Sequence, residues 1–510
     1  MQLQRRALMA SGLGLATAPA TWRAGAAQGI RRGGQLTVGF SLEPPGLDPA
    51  FGDAPSLDRS IYTLFYDNLF HLSASGEFVP ALATRWEVAA DGLSVTFALR
   101  PGVVFHDGAP FDAAAVKAAL ERVVDPAVNA AYRSALADMA GVEVLGPLEV
   151  RIRLSRRSGV LMTSLATEAG MIARVAPGLD LKRSPVGTGP FRFASWVGGN
   201  ALTVVRNDGY WQDGDDGRKL PYLDGITFRF IRNTTVKITE ARAGSIQLAD
   251  AIQTRDFEAV SADPNLVLPP NSQGIHQWFS FNVSRPPFDN PHLRRAVLSA
   301  INREAMARVI TGRFGRVTPT MISPEDWVHD ASLRPPPHDL AVARAALARS
   351  GFSGEVVISS IQRDPDTQIA QLLQAQLAQA GIRARVEVME RQAWLDRVLR
   401  RNHQIGLLQI HQPRPDPDIT FAPSFGRNAA FNWSGVEDPE LFDMVDAARA
   451  ETDRAKRRGF YVEIQRRILA QDWYGFLFTR PVADIVRRNL DGIETEVHGP
   501  WRLARARFTA

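Results

Sequence analysis

Between Glu355 and Ile410 the chain alternates two kinds of segment without interruption. EVVISS reads as a strand, DTQIAQLLQAQLAQA as a helix closed by Gly381, RARVEVM as a strand, RQAWLDRVLRR as a helix and QIGLLQI as a third strand. Apolar spacing that switches between two and about 3.6 residues, with short loops between, defines a βαβαβ unit. Its strands are expected to run parallel with right-handed crossovers, because each connection is a helix. Open sheets of this kind bind ligands outside the carboxyl ends of their strands. Three loops fall there: SSIQRDPD (359–366), MERQ (389–392) and HQPRPDPD (411–418). The last carries prolines at 413, 415 and 417, and reads equally well as a pocket edge or a stiffened surface loop.

The unit is only part of the chain. At 510 residues the protein is too long for one core, since cores stop growing near about 250–300 residues, so two or three domains are expected. The first half reads as mixed α+β. QLTVGF (35–40) is a strand, and SLDRSIYTLFYDNLF is helical, with apolar residues at 61, 64, 65 and 69. Another strand runs from Ser94 to Arg100. Asp112 caps the helix AAAVKAALERVV, and VEVLGPLEVRIRL is a hairpin turning at Gly146-Pro147. Further on, Asn290-Pro291 opens one helix, HLRRAVLSAINREAMARVI, ending at Gly312. Two more helices start at Asp438-Pro439 and near Asp453, and WYGFLFTR returns as a buried strand.

Charge and composition exclude several classes. Arg5-Arg6 precede an apolar stretch that ends in small residues near Ala26, so residues 1–27 read as an export signal, twin-arginine-like or ordinary secretory. Without Arg5, Arg6 and Arg23 the chain carries 56 basic against 54 acidic residues, and no basic run interleaved with aromatics points to nucleic acid. There is no cysteine, hence no disulfide, thiolate metal site or cysteine nucleophile. No later run of about 18 apolar residues suggests a membrane span.

Catalytic signals are sparse. The phosphate-loop, HExxH and GxSxG patterns are missing, and the nine histidines have no close ligand spacing, although His403 and His411 would share a face of an unbroken strand. The pairs Asp215-Asp216 and Asp416/Asp418 lie in turn-prone sequence, where aspartate bonds local backbone. Of the tryptophans, Trp433 in FNWSGVEDP is the one favoured for ligand contact.

Five stretches in order carry a resemblance: LTVGFSLEPPGLDP; the long segment from YDNLFHLSASGEF to ALERVVDP; SPVGTGPFRFASW; RPPFDNPHLRRAVLSAINREAM; and AQLLQAQLAQAGIRARVEVM. Together they resemble the peptide/nickel/opine class of extracellular solute-binding proteins, family 5, which serve ABC importers. The resemblance implies an α/β, two-lobed periplasmic-binding-protein fold of type II, with mixed sheets, a hinge between lobes and an extra N-lobe subdomain at about 55–180. The N-lobe would comprise 28–274 plus 484–510 and the C-lobe 275–483, with HQWFSFN and WYGFLFTR crossing the hinge. It further implies no catalysis, no cofactor, a periplasmic location, a small-molecule ligand, permease subunits at the inner membrane as partners and a monomeric state.

Ligand-contact candidates follow from the same resemblance: Phe51 and Gly52 in the N-lobe, and Trp278, Ser360, Arg363, His411, Gln412, Pro413, Arg414 and Trp433 in the C-lobe. Relatives that bind peptides hold the amino group with an aspartate that aligns on Pro413, so a peptide with a free N-terminus is not expected. Their carboxylate-binding arginine aligns on Ser360, or on Arg363 with a small gap. Arg414 points to an anionic or hydroxyl-rich ligand end, as in an opine, a modified peptide or a sugar-like compound. Two other readings stay open: a secreted hydrolase on the same architecture, and metal-chelate carriage through His411.

Overall fold

The parallel unit forms as its periodicity requires. Strands Glu355–Ile361, Arg383–Met389 and Ile405–Gln412 are separated by helices Asp366–Gln379 and Arg391–Leu399. The first strand pairs parallel with both others. Ile369, Leu373 and Leu377, one helical face at a spacing of four, are buried in the same core as Val356 and Ile358. The structure is a computed structural model that describes residues 30–52, 55–269, 274–412, 415–427, 429–496 and 499–509. The export signal expected at 1–27, Pro413, Arg414 and the side chain of Gln412 lie outside the described residues.

The parallel strands extend into a six-stranded mixed sheet. Ile405–Gln412 runs antiparallel to Gly274–Phe281, which pairs antiparallel with Tyr474–Pro481. Every residue of Gly274–Phe281 is buried, the polar His276, Gln277 and Ser280 together with Trp278, Phe279 and Phe281. A second, seven-stranded sheet is built around Gln35–Phe40, Gly225–Phe230 and Leu248–Ile252, and the chain re-enters it as Ala483–Arg487, one residue after leaving the first sheet at Pro481. Each sheet has its own buried core. A four-stranded antiparallel sheet between Ala83 and Leu154 includes the expected hairpin, and Asp112 caps the helix Ala113–Val124 through the amide of Ala115. No helix among the described residues is long and apolar enough to cross a membrane.

Three expectations change. The single helix expected from 291 to 311 is two, Pro291–Ser299 and Arg303–Thr311, because the Asn302 side chain accepts the Ala305 amide at 2.9 Å and starts a new helix. The helix expected through Leu69 stops at Phe65. Just beyond it Asp67 accepts from Thr188, Tyr210 and Trp211, and Asn68 donates to the carbonyls of Leu165 and Thr167, which fixes the chain off the helical path. Finally, the proline-spaced loop runs directly into a helix, Asp418–Phe425, that its prolines conceal.

Candidate functional site

Strand register builds the first wall of the site. Ile275 pairs with His411 on one side and with Arg480 on the other, so three adjacent strands place these residues in one row on one face. All three line a cavity of about 420 Å³ between the two sheets. One row away, Gln277 donates to Gln409 at 3.1 Å. Arg363, in the loop after Glu355–Ile361, lines the same cavity. Its Nε is held by Asp366 in the first turn of the next helix at 2.5 Å.

Arg480 has unusual surroundings for a guanidinium. It is only 7% exposed. Nη1 donates to Gln253 at 3.0 Å and Nη2 to Gln409 at 3.3 Å, while Nε is buried without a partner. Among the described residues no carboxylate lies within ion-pair distance of it, and burial lowers its pKa to about 10, with Asp366 acting against this and Arg363 adding to it. A buried charge left without a counter-ion is costly, so such a group is normally paired.

The opposite wall belongs to the seven-stranded sheet. Phe40, at the end of its strand, packs edge-on against Trp501, and Trp501 Nε1 donates to Asp484 Oδ2 at 2.8 Å. The strand Leu248–Ile252 is irregular where it meets Ala483–Arg487. There Ala251 adopts φ +54°, and its amide donates to Asp484 Oδ1 at 3.4 Å. A non-glycine residue in this region is uncommon. Asp250 is already neutralised: the buried Lys237 Nζ bonds its Oδ1 at 2.6 Å and Ser41 Oγ at 2.7 Å. Asp484 has no cation within ion-pair distance among the described residues. Burial pushes its carboxyl up to about 7, opposed by the Trp501 indole and reinforced by Asp250.

A second cavity, about 170 Å³, lies beside Asp416. Here Asp416 has its counter-ion. Asp416, 1% exposed, is bridged by both Nη groups of Arg457 at 2.6 Å and accepts Thr163 Oγ1 at 3.1 Å. The remaining Arg457 donors reach the Ala448 carbonyl and Tyr461. Nearby the Gly159 amide donates to the Arg449 carbonyl at 2.8 Å, and a side chain at Gly159 would come within 2.0 Å of the Glu451 carbonyl oxygen. Asp416 also accepts the Asp418 amide, the local bond expected of it, but its main partner is an arginine 41 residues away.

The candidates from sequence therefore separate. Arg363 and His411 meet in the larger cavity. Ser360 is fully buried, its hydroxyl donating to the Ile361 carbonyl. Trp278 is a core residue, edge-on to Tyr474 and Phe476. Trp433 stacks on Phe431 with centroids 5.1 Å apart. Phe51 lines a separate groove with Lys182 Nζ 3.9 Å from its ring centre, and Gly52 is pressed between Tyr62 and Tyr132. Gln412 ends its strand opposite Gly274. His403 lies before the strand that carries His411, bonded to Ser280. Arg480 and Asp484 were missed, although each interrupts an apolar stretch, WYGFLFTR and VADIV. Among the described residues no group of three His, Cys, Asp or Glu side chains is placed to hold a metal ion.

The sequence model for bacterial extracellular solute-binding proteins, family 5 (middle), matches residues 77–432. The chain is 28% identical over 509 residues to the glutathione-binding protein GsiB of Pectobacterium atrosepticum, covering 96% of each. It is 33% identical over 388 residues to GsiB of Salmonella paratyphi A, covering 74% of this chain and 73% of that one. Among solved structures, the periplasmic binding protein DppA of Helicobacter pylori, in complex with the peptide STSA, superimposes with a TM-score of 0.77 at 25% identity, covering 94% of this chain and 99% of that one.

Proposed function

This chain belongs to the bacterial extracellular solute-binding proteins of family 5, and from that membership we propose that it captures a small carboxylate-bearing, peptide-like solute in the 420 Å³ cavity and hands it to an ABC importer. The observation that carries the reading is Arg480: a buried guanidinium with no carboxylate in ion-pair distance among the described residues, in a cavity that Arg363 also lines. A ligand carboxylate supplies the missing counter-ion. Bidentate guanidinium–carboxylate pairing is strong and directional, and removing water as the lobes close strengthens it. Glutathione, which the relatives are named for binding, carries two carboxylates and suits this wall. Lobes at about 28–274 plus 484–510 and 275–483 would close around it. The protein would work in the periplasm as a monomer, delivering to permease subunits in the inner membrane.

Thermal unfolding with reduced glutathione, trialanine and a nickel–histidine chelate tests this. Carboxylate-bearing peptides raise the wild-type Tm, as a ligand bound only to the folded state must. The shift is lost in Arg480→Met and reduced in Arg363→Met. Retention of the full shift in both variants, or a response to the nickel chelate alone, contradicts the proposal.

A further inference from the structure

We propose that Asp484 receives a ligand's ammonium group, so that the larger cavity takes a zwitterion, with its carboxylate on Arg480 and Arg363 and its protonated amine on Asp484. This rests on the carboxylate assignment above and adds the opposite end of the ligand.

Asp484 and Arg480 line one cavity from opposite sheets, four residues apart in the chain. Four extended residues span at most about 13–14 Å between Cα atoms, and an extended di- or tripeptide measures roughly 7–11 Å, so one short zwitterion can reach both. Each charge lacks a protein partner of opposite sign among the described residues. The cations near Asp484 are otherwise engaged: Lys237 is bonded to Asp250 and Ser41, and Arg255 is largely exposed. Asp484 is also aimed. The Trp501 indole holds one oxygen at 2.8 Å and the Ala251 amide the other at 3.4 Å, which leaves lone pairs on both for a donor from the cavity. The relatives' amine-binding aspartate aligns on Pro413, so the acid would act from a different strand and a different lobe.

The arrangement predicts a proton signature. With its carboxyl pushed up to about 7, Asp484 is largely protonated in the empty cavity near pH 6. An arriving ammonium favours the carboxylate, and the displaced proton leaves to solvent. Near pH 8 the group is already ionised and no proton moves. The other charged groups around it are Asp250 and Lys237 on its own side, and Arg255, Arg363, Asp364, His411 and Arg480 around the cavity. His411 is the one whose side chain ordinarily titrates near these pH values, so its contribution is separated by substitution.

The experiment is isothermal titration calorimetry with two matched probe pairs, reduced glutathione and trialanine, each against its N-acetylated form. Runs near pH 6 and near pH 8 use buffers of different ionisation enthalpy. In the wild type the free-amine member binds at least about 30-fold tighter, the lower range for an interfacial charge pair, and releases up to one proton near pH 6 only. Asp484→Asn reduces the preference to less than about 3-fold and abolishes the release, with a ligand-free Tm at or above wild type showing that the variant is folded. His411→Gln retains the release. A preference that survives in Asp484→Asn, or a release lost in His411→Gln but kept in Asp484→Asn, overturns the inference. Equal binding of both members of a pair by the wild type overturns it while leaving the carboxylate assignment standing. If neither pair binds, both fall together.

Discussion

Two arginines, Arg457 and Arg480, are 4% and 7% exposed, and they are treated in opposite ways. Arg457 has a bidentate carboxylate, a backbone carbonyl and a tyrosine hydroxyl. Arg480 has two glutamine oxygens and a bare Nε. The first is a finished structural element: its carboxylate, Asp416, also accepts Thr163 from the N-terminal half, joining parts of the chain far apart in sequence. The second is unfinished within the protein. Burial alone therefore does not mark a binding residue; what singles out Arg480 is burial at a cavity wall with no carboxylate in ion-pair distance among the described residues.

Substitutions sharpen that contrast, beginning with the largest effect. Arg457→Met strands Asp416 in a buried site, and chemical denaturation should register a loss of about 3–5 kcal/mol, the usual result of removing one partner of a buried pair. Arg480→Met should leave ligand-free stability unchanged or higher, since it removes an uncompensated charge. By calorimetry it should weaken ligand binding by about 2–5 kcal/mol.

Asp484→Asn comes next, and its sign depends on pH. Its carboxyl titrates at about 7 in the fold, against about 3.9 in an unfolded chain. Ionisation is therefore harder in the folded state, so wild-type stability falls as pH rises from about 4 to about 7 and the deficit is complete above that. The asparagine variant should lack this fall, gaining up to about 4 kcal/mol at pH 8 and nothing near pH 3, as read from denaturation midpoints across pH. The smallest effect belongs to Thr163→Val, which removes one hydrogen bond to Asp416. A loss of about 1 kcal/mol is expected, with ligand affinity measured alongside.

Much of the fold was legible because hydrophobic period is a local property. The parallel unit, the cap at Asp112 and the hairpin at Gly146-Pro147 each follow from a few adjacent residues. The break at Asn302 was hidden by an apolar pattern that continues through it, and only the capping bond shows which way the chain turns. The site was less legible, since its walls are assembled by register between strands more than 60 residues apart. Nothing near His411 in sequence announces Ile275 and Arg480 as its neighbours. The proline-spaced loop was read as a pocket edge or a stiff surface segment. Its His411 lines the larger cavity, while its Asp416 closes a buried ion pair fixed by an arginine on a distant helix.

The central claim is that Arg480 is buried for a ligand's carboxylate and not for the fold. Paired thermal unfolding of wild type, Arg457→Met and Arg480→Met, each with and without reduced glutathione, tests it most directly. The account predicts that Arg457→Met lowers the ligand-free Tm. Arg480→Met should match or exceed the wild-type ligand-free value and lose the glutathione shift. An Arg480→Met protein destabilised as severely as Arg457→Met, with its glutathione shift intact, would contradict it.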